Sequence, residues 1–446
     1  MLDYLIIGAG PAGLAFATCL PAGKRAIILE RESSLGGCHR VRRTDDGSFS
    51  EHGPRVYSGA YATTSDLLDK IGLSWAGIFQ KVEYSPEKLD GKRWFQHLSV
   101  WESLALSLEF AKMVLGKVNT QESVRGMAMR YGFSKASIAY LDHICRFSDG
   151  AGAGRYTVYE FLQGFDQHMM YAFYQPRLAN DKVLFPAWHA YLENRGIHVV
   201  TSAKVTEIRG TSVVLENGSV FKAKRVICAI PPENLDDLIP GNRLTKFAQA
   251  TKYNDYVSVA MFFDRPNPLP ESAGIRTTPW GITWCSMRNQ ESPGLLSCAV
   301  TLPDIRSPRT GKTANQCTEP ELVAEMIAQL SLAYGVDLRP TKTRLSTGLA
   351  KVNGEWEDSD TAFVSSAGVG FMHPDLGGGV WSLGTHNGMS TYNFTSFESA
   401  VQNAVNLARI LEPGSRVYSR ASHDASSVAG ILIMVVVLIA MYVSRR

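Results

Sequence analysis

The sequence lacks an excess of charge of either sign, and this absence limits the partners that the protein can bind. Lysine and arginine total 45 and aspartate and glutamate total 42, so the formal net charge is +3 at pH 7. Proteins that bind nucleic acids through their charge present a strongly basic surface. We therefore predict no nucleic-acid partner.

The chain also lacks paired cysteines and the usual motifs of hydrolases and metalloenzymes. Its seven cysteines are an odd number, and no two of them form a C-x-x-C pair. No order of serine, histidine and aspartate indicates a hydrolase triad, and there is no H-E-x-x-H motif. No basic leader precedes the first apolar run, so we expect the N-terminus to stay out of the secretory pathway. The sequence predicts reduced thiols, a cytosol-facing protein and no metal site.

Length and composition predict a folded protein with more than one domain. The chain has 446 residues, of which 45% are hydrophobic and 20% are charged. This apolar content is enough for a large core and excludes disorder of the whole chain. At roughly 150 residues per domain, the length favours two or three domains.

The C-terminus carries an apolar stretch without charge, from Ser426 to Val443, which Arg445 and Arg446 follow closely. As a helix these residues would span about 27 Å, close to the roughly 30 Å hydrocarbon core of a bilayer. A core helix of this length normally has a polar face, which this stretch lacks. We predict a linker over residues 413–425 and a transmembrane anchor over residues 426–443. We expect the body to face the cytosol, on the mitochondrial outer membrane or the endoplasmic reticulum.

The first thirty residues form a pattern of strand, glycine turn, helix, strand and acid. Gly8 can make the tight turn, Gly10 lets the backbone approach a pyrophosphate, and Gly13 lets helix and strand pack closely. Glu30 stands where a carboxylate would accept hydrogen bonds from a ribose. The pattern predicts a dinucleotide site, for either a nicotinamide or a flavin carrier. The charge of Glu30 argues against NADP, whose 2′-phosphate it would repel.

Further motifs follow this turn in order along the chain. They are ILERESSLGG, Glu51-His52-Gly53-Pro54-Arg55, VICAIPP from Val226 to Pro232, and Gly384-Thr385 ahead of a final helix. With this set the sequence resembles the flavin-containing amine oxidase superfamily, which includes monoamine oxidases, protoporphyrinogen oxidase, and the carotenoid and squalene-type desaturases.

The resemblance implies a fold and a cofactor. The fold is α/β, with a Rossmann-like FAD-binding domain built from residues 1–75, 190–250 and 365–412. An α+β substrate domain would comprise residues 76–189 and 251–364. The cofactor is FAD in an extended pose. We predict that it is bound non-covalently, because His373 to Leu383 has no cysteine of the kind that attaches flavin in monoamine oxidases.

The resemblance also implies which positions contact FAD. The predicted cofactor-binding residues are Gly8, Gly10, Pro11, Ala12, Gly13, Glu30, Arg31, Gly36, Gly37, Arg40, Gly53, Pro54, Arg55, Val205, Gly384, Thr385, Ser396 and Phe397. The family usually has an arginine directly after the second glycine pair, where this chain has Cys38.

The final helix predicts an electrostatic contact with the flavin. Thr395-Ser396-Phe397-Glu398 fits a capping box, and helical spacing continues from Ala400 to Leu411. The positive end of this helix could face N1 and the C2 carbonyl, where negative charge develops when flavin accepts a hydride.

Candidate catalytic residues are few, because in flavin dehydrogenation the cofactor performs the difficult step. His373, His386 and Tyr392 are the candidates, while Trp381, Tyr392 and Phe394 are candidates for an aromatic pair around the substrate. The expected strand Val257 to Phe263 has no lysine, unlike monoamine oxidases, and this weakens the case for amine oxidation.

These observations predict an FAD-dependent oxidoreductase that removes hydride from an amine or from an apolar, isoprenoid-like molecule. Oxygen or another acceptor would reoxidise it. The alternative is a non-catalytic carrier of prenylated partners, since Rab escort and GDP-dissociation-inhibitor proteins use a related fold.

Overall fold

The computed structural model describes residues 1–51, 55–82, 89–149, 152–166, 172–253, 257–269, 276–289, 292–346, 348–358, 364–365, 370–392 and 395–420. The helices are α1 (Pro11–Cys19), α2 (Ala62–Lys70), α3 (Trp75–Ile78), α4 (Trp94–His97), α5 (Val100–Val114), α6 (Val124–Arg130), α7 (Lys135–Asp149), α8 (Val158–Asp166), α9 (Leu184–Asn194), α10 (Pro232–Leu238), α11 (Thr245–Ala250), α12 (Glu319–Tyr334) and α13 (Phe397–Leu411). A short 3-10 helix spans Gly37–His39.

The strands are β1 (Leu2–Ile7), β2 (Ala26–Leu29), β3 (Arg42–Arg43), β4 (Phe49–Ser50), β5 (Tyr57–Ser58), β6 (Phe79–Val82), β7 (Phe173–Pro176), β8 (His198–Val200), β9 (Val205–Arg209), β10 (Ser212–Leu215), β11 (Val220–Cys228), β12 (Lys252–Tyr253), β13 (Val257–Phe262), β14 (Thr283–Asn289), β15 (Ser292–Val300), β16 (Lys342–Leu345), β17 (Leu349–Val352), β18 (Glu355–Asp358), β19 (Val364–Ser365), β20 (Asp375–Gly377) and β21 (Val380–Ser382).

The main sheet has the order β20-β21-β11-β1-β2-β8, and all neighbours in it are parallel except β20 and β21. Its strands come from three stretches of the chain that are far apart in sequence. β1 lies in the middle, and its residues from Tyr4 to Ile7 are buried because both faces of the sheet are covered. Tyr4 and Ile6 pack into the core that contains α1 and α13, while Leu5 and Ile7 pack into the core on the opposite face. The prediction of an α/β fold with a Rossmann-like domain is confirmed.

The helix after the glycine turn is buried on every side, because its small residues let it lie between the sheet and α13. The helix begins at Pro11, directly after Gly10 of the glycine turn. Proline is favoured at the first helical position, where its missing N–H removes no hydrogen bond.

Val205 to Leu215 alternates apolar and polar residues and forms two strands. β9 and β10 pair antiparallel around a turn at Gly210, whose φ of 58° lies in the left-handed region. Glu216-Asn217-Gly218, a typical hairpin sequence, joins β10 to β11, and Gly218 has a φ of 82°.

A second sheet supports the other side of the molecule. It is antiparallel, with the order β14-β15-β13-β16, and α12 packs on it through Leu322, Met326 and Leu330. Helices α5 to α8 pack on one another and contribute to the same hydrophobic core as α1 and α13. These elements agree with an α+β part, but the exact domain boundaries stay a prediction.

The predicted anchor over residues 426–443, like Gly53, Pro54 and Phe394, lies outside the described residues. Within the described part of the chain, every helix is too short or too polar to cross a bilayer.

Candidate cofactor-binding site

A cavity of about 590 Å³ lies between the carboxyl ends of the main sheet and the layer formed by α7, α8 and β14. Its lining begins with the glycine turn and continues through Glu30, the second glycine pair and the N-terminus of α13. Ligand sites of doubly wound proteins lie at this edge of the sheet. The cavity is therefore the candidate site.

The glycine turn at the end of β1 is closed so tightly that side chains are excluded. Gly8 has a φ of 100°, and a Cβ there would collide with the carbonyl oxygen of Ala229. A Cβ on Gly13 would collide with the carbonyl oxygen of Gly8, so helix and strand meet backbone to backbone. These two glycines are required by the fold itself.

Gly10 has a different role, because its backbone faces the cavity and not a neighbouring strand. A Cβ on Gly10 would lie 3.7 Å from the Cα of Gly37, so the two glycines pack backbone against backbone at the edge of the cavity. Gly10 also precedes α1 without any side-chain cap on the first turn of the helix. Backbone N–H groups at such a helix start can receive a phosphate. The part of the cavity at the start of α1 therefore fits a pyrophosphate.

Glu30 ends β2 at the cavity wall, where it is buried. Its carboxylate accepts hydrogen bonds from the backbone N–H of Ala9 at 2.7 Å and of Glu32 at 3.0 Å. These contacts tie the acid to the glycine turn. A carboxylate held in this way can accept further hydrogen bonds from ribose hydroxyls on its remaining lone pairs.

Two buried arginines line the same cavity. Arg55 donates from Nη2 to the carbonyl oxygen of Cys38, while its Nε makes no hydrogen bond and lies 3.9 Å from Oε1 of Glu51. Arg40 lies 3.8 Å from a carboxylate oxygen of Glu32. A buried N–H group that makes no hydrogen bond can still donate to an anionic or carbonyl ligand at this position.

The N-terminus of α13 faces the cavity through Ser396, Phe397 and Ala400. The predicted capping box is wrong by one residue. Ser396 is the N-cap, and it exchanges hydrogen bonds with Ser399 at 2.9 and 3.0 Å. Thr395 is not the cap because Glu398 is engaged elsewhere, as the buried acceptor of hydrogen bonds from Thr63 and Thr64 on α2.

Most of the predicted cofactor residues meet in this one cavity. Gly13 and Gly36 are not among its lining residues, and Gly53 and Pro54 are not described. The predicted residues that line it are Gly8, Gly10, Pro11, Ala12, Glu30, Arg31, Gly37, Arg40, Arg55, Val205, Gly384, Thr385, Ser396 and Phe397.

Of the three catalytic candidates, the structure places one at the cavity and two outside its lining. His386 lines the cavity, and its Nε2 lies 2.7 Å from the Ser382 hydroxyl. Burial lowers the pKa of His386 to about 3, so its imidazole is neutral at physiological pH. His373 is exposed and lies outside the cavity lining, so the structure gives it no contact with a cavity ligand. Tyr392 is fully buried outside that lining.

The aromatic wall of the cavity differs from the predicted one. Trp381 lies on β21, beside Ile227 of β11 in the register of the main sheet, and does not line the cavity. The aromatic lining comes from distant segments that pack together only in the fold. Its members are Tyr57, Tyr61, Phe147, Tyr156, Phe161, Phe173, Trp284 and Phe397. Their spacing in sequence carries no signal that could have identified them.

Comparison with known proteins agrees with this arrangement. The family model described as flavin containing amine oxidoreductase matches residues 157–347, and that of an NAD(P)-binding Rossmann-like domain matches residues 6–71. The 15-cis-phytoene desaturase of an Oncidium hybrid cultivar is 38% identical over 74 residues, which are 16% of this chain and 13% of the desaturase. The putrescine oxidase of Kocuria rosea is 34% identical over 92 residues, which are 20% of this chain and 19% of that enzyme.

A solved structure extends the likeness of fold to most of the chain. Cyclohexylamine oxidase from Brevibacterium oxydans IH-35A superposes with a TM-score of 0.67 at 13% identity, over 92% of this chain and 98% of the oxidase. The fold is shared with a flavin-dependent amine oxidase. In sequence, residues 157–347 are similar to flavin containing amine oxidoreductases, and shorter stretches are similar to a desaturase and to an amine oxidase. The family, enzyme class and cofactor that the sequence motifs imply agree with these matches.

Proposed function

We propose that this protein removes hydride from an apolar, isoprenoid-like molecule or from an amine in its neutral form, and that it binds FAD non-covalently. The single observation that carries the proposal is the shared cavity. One wall of the cavity carries the glycine turn, Glu30 and the N-terminus of α13, and the opposite wall is lined by aromatic side chains. Such a cavity can hold a dinucleotide and still leave an apolar space beside it.

The residues of the chain divide the work between binding and exclusion of water. FAD, when bound, supplies the acceptor for the hydride. The N–H groups at Gly10 and at the start of α1 would bind its pyrophosphate, and Glu30 a ribose. The positive end of α13 would stabilise negative charge on the ring. The aromatic wall would exclude water and hold the reacting carbon–hydrogen bond in place.

The charge of the cavity favours the apolar substrate. Among the described residues, the acids in the lining are Glu30 and Asp237, and both come from the dinucleotide-binding side. The described wall formed by α7, α8 and β14 contributes only uncharged residues, such as Phe147, Phe161 and Trp284. A protonated amine would be desolvated there without a counter-charge, which is unfavourable. This is why we place the isoprenoid-like substrate first.

The visible spectrum of the purified full chain tests the cofactor, and anaerobic reduction tests the reaction. We expect a yellow protein that bleaches when an apolar polyene precursor such as phytoene is added in detergent without oxygen. Putrescine and cyclohexylamine, as cationic amines, should bleach it more slowly. A folded but colourless protein that cannot take up added FAD would refute the proposal. That result would favour the alternative of a non-catalytic carrier of prenylated partners, which the matches to known proteins do not favour.

We also propose that residues 426–443 anchor the protein with its body in the cytosol, on the mitochondrial outer membrane or the endoplasmic reticulum. The proposal rests on the charge-free apolar stretch of the sequence. Truncation after Arg420 should move the protein from the membrane fraction to the soluble fraction, with its flavin spectrum unchanged. Full-length protein recovered in the soluble fraction of cells would contradict the anchor.

A further inference from the structure

Helix α5 packs Ala105, Leu106 and Phe110 against the core and also carries an apolar outer face. Its glutamates face inward, because Glu102 is 4% and Glu109 is 1% exposed, while a second set of large apolar residues faces solvent. Trp101, Leu108 and Leu115 are 58%, 44% and 68% exposed, and the last of them is the C-cap of the helix. They are spaced by seven residues, which is about two helical turns, so they form one stripe. We call this stripe the α5 face.

The inward glutamates hold the helix in this orientation. Glu102 accepts a hydrogen bond from the backbone N–H of Ser134 at 2.8 Å. Glu109 accepts hydrogen bonds from Lys112, Arg130 and Tyr131 at 2.8, 3.1 and 2.7 Å. Rotating α5 to bury Leu108 would take these acceptors away from the backbone N–H of Ser134 and the hydroxyl of Tyr131, which is unfavourable. The hydrogen bonds of the buried glutamates therefore fix the rotation of α5 and keep the apolar stripe on its outer side.

The tryptophan in the stripe is also fixed. The indole N–H of Trp101 donates to the backbone carbonyl of Tyr131 at 3.2 Å, so the polar atom of the ring is satisfied within the protein. The rest of the ring remains at the surface. On the preceding helix, Trp94 is 47% exposed. Tryptophan is enriched where a protein meets the boundary of a bilayer, because the ring is apolar with one polar edge.

The charges around the stripe favour an anionic surface. Between residues 89 and 135, two of the four acids are the buried Glu102 and Glu109, and the others are Asp90 and Glu122. Every basic residue of this stretch is at least partly exposed. They are Lys92, Arg93, Lys112, Lys117, Arg125, Arg130 and Lys135. An exposed apolar stripe with tryptophan and surrounding lysine and arginine is the composition of a helix that lies in the headgroup region of a bilayer.

We propose that the α5 face is a membrane-contact surface that lies in the headgroup region of an anionic bilayer. This inference depends on neither the oxidoreductase reaction nor the C-terminal tail. It has a consequence for the cavity, because α5 packs on α8, whose Phe161 and Gly164 line the cavity. Contact through α5 would place the aromatic wall one helix away from the bilayer.

Quenching of tryptophan fluorescence by brominated lipid tests the proposal on the full chain. The apolar tail has no tryptophan, since the eight tryptophans of the chain all precede residue 421, so any quenching reports which indoles of the folded body touch the lipid, however the chain is held at the vesicle. The probe is a vesicle of two parts acyl-brominated phosphatidylcholine and one part phosphatidylserine. We expect strong quenching of the wild type and loss of most of it in W94F/W101F, which removes the two exposed indoles.

A matched pair of surface variants separates the α5 face from general hydrophobicity. L108E places a charge in the stripe, while L332E places the same charge on α12, where Leu332 is 87% exposed. Both residues are exposed, so both variants should keep the circular dichroism of the wild type. We expect L108E to lose most of the quenching and L332E to keep it. Replacing phosphatidylserine with phosphatidylcholine should weaken the quenching, because each engaged basic residue contributes about fivefold to binding.

Three results would overturn the inference. The first is equal quenching of the wild type and W94F/W101F. The second is equal loss in L108E and L332E. The third is a dimer in sedimentation that L108E dissociates, which would assign the α5 face to a second copy of the chain.

Discussion

Glu398 connects the last helix of the described chain to α2, and its replacement should destabilise the protein strongly. The carboxylate accepts from the backbone N–H of Thr63 at 2.8 Å and of Thr64 at 2.9 Å, from the Thr64 hydroxyl at 2.6 Å, and from the Gln402 amide at 3.0 Å. α2 has no side-chain cap from its own N-cap residue, Tyr61. Glu398 therefore caps α2 from more than 300 positions away in the chain.

The magnitude follows from these contacts. Glu398→Ala leaves two backbone N–H groups and two side-chain donors without their acceptor in a buried place. Loss of a helix cap costs about 0.5–2 kcal/mol. Each buried donor that loses its partner costs about 1–3 kcal/mol, part of which local relaxation recovers. We expect a loss of about 3–5 kcal/mol in the free energy of unfolding, a large share of the roughly 5–15 kcal/mol of a typical protein.

Urea unfolding followed by circular dichroism measures this loss. Glu398→Gln keeps the shape and one acceptor oxygen, so we expect it to lose about 1–2 kcal/mol. Glu319→Ala is the control, because Glu319 is in the first turn of α12 but exposed, and should lose less than about 0.5 kcal/mol. A loss for Glu398→Ala no larger than that of Glu319→Ala would refute the reasoning.

Three further predictions concern the cavity. Gly10→Val should keep the fold, because its Cβ meets Gly37 at an ordinary 3.7 Å, but it should lose FAD, because the rest of the side chain occupies the cavity edge at the start of α1. The absorbance of bound flavin measures this against Gly154→Ala, whose Cβ meets nothing within 4 Å. The pKa of His386 is lowered to about 3 by burial, so its stabilising contribution is present above the unfolded pKa near 6.5 and is lost as the pH falls from there toward 3. Wild type should lose about 2 kcal/mol more than His386→Phe between pH 7 and pH 5 in urea unfolding. Cys38 should be the thiol that reacts first with a disulfide reagent at pH 8, because the other cysteines are buried and burial raises the pKa of Cys19, for example, to about 12.

Each of these has a clear contrary result. Flavin retained by Gly10→Val would remove the pyrophosphate from the glycine turn. Identical acid sensitivity of the wild type and His386→Phe would show that this histidine is not buried in its neutral form. Cys38 lines the cavity, so bound FAD should slow its reaction, and an unchanged rate would place the cofactor elsewhere.

The local sequence was sufficient to predict structure wherever a feature depends only on neighbouring residues. The turn of Gly8 and Gly13 could be predicted because backbone collisions within a few residues exclude every side chain there. The hairpin turn at Gly218 is of the same kind, since a positive φ is a property of one residue. Most of the predicted cofactor positions line one cavity, because the motifs that carried them are short and continuous.

Contacts between residues that are distant in the chain could not be predicted from the sequence. The sequence placed Glu398 in a capping box of its own helix, and only the fold brings Thr63 and Thr64 close enough to take its carboxylate. His373 and His386 looked alike as candidates, and packing put one on the surface and the other against Ser382.

The sequence by itself determined the dinucleotide turn, the acid at Glu30 and the class of the fold, because each depends on spacing and backbone geometry within one short stretch. The tertiary structure alone decided the aromatic wall, the burial of His386 and the outward apolar stripe of α5. These depend on which segments pack together, and the free energy of that packing is a property of the whole chain. In α5 the decisive contacts are those of Glu102 and Glu109, whose partners lie at the end of α6 and in the turn between α6 and α7.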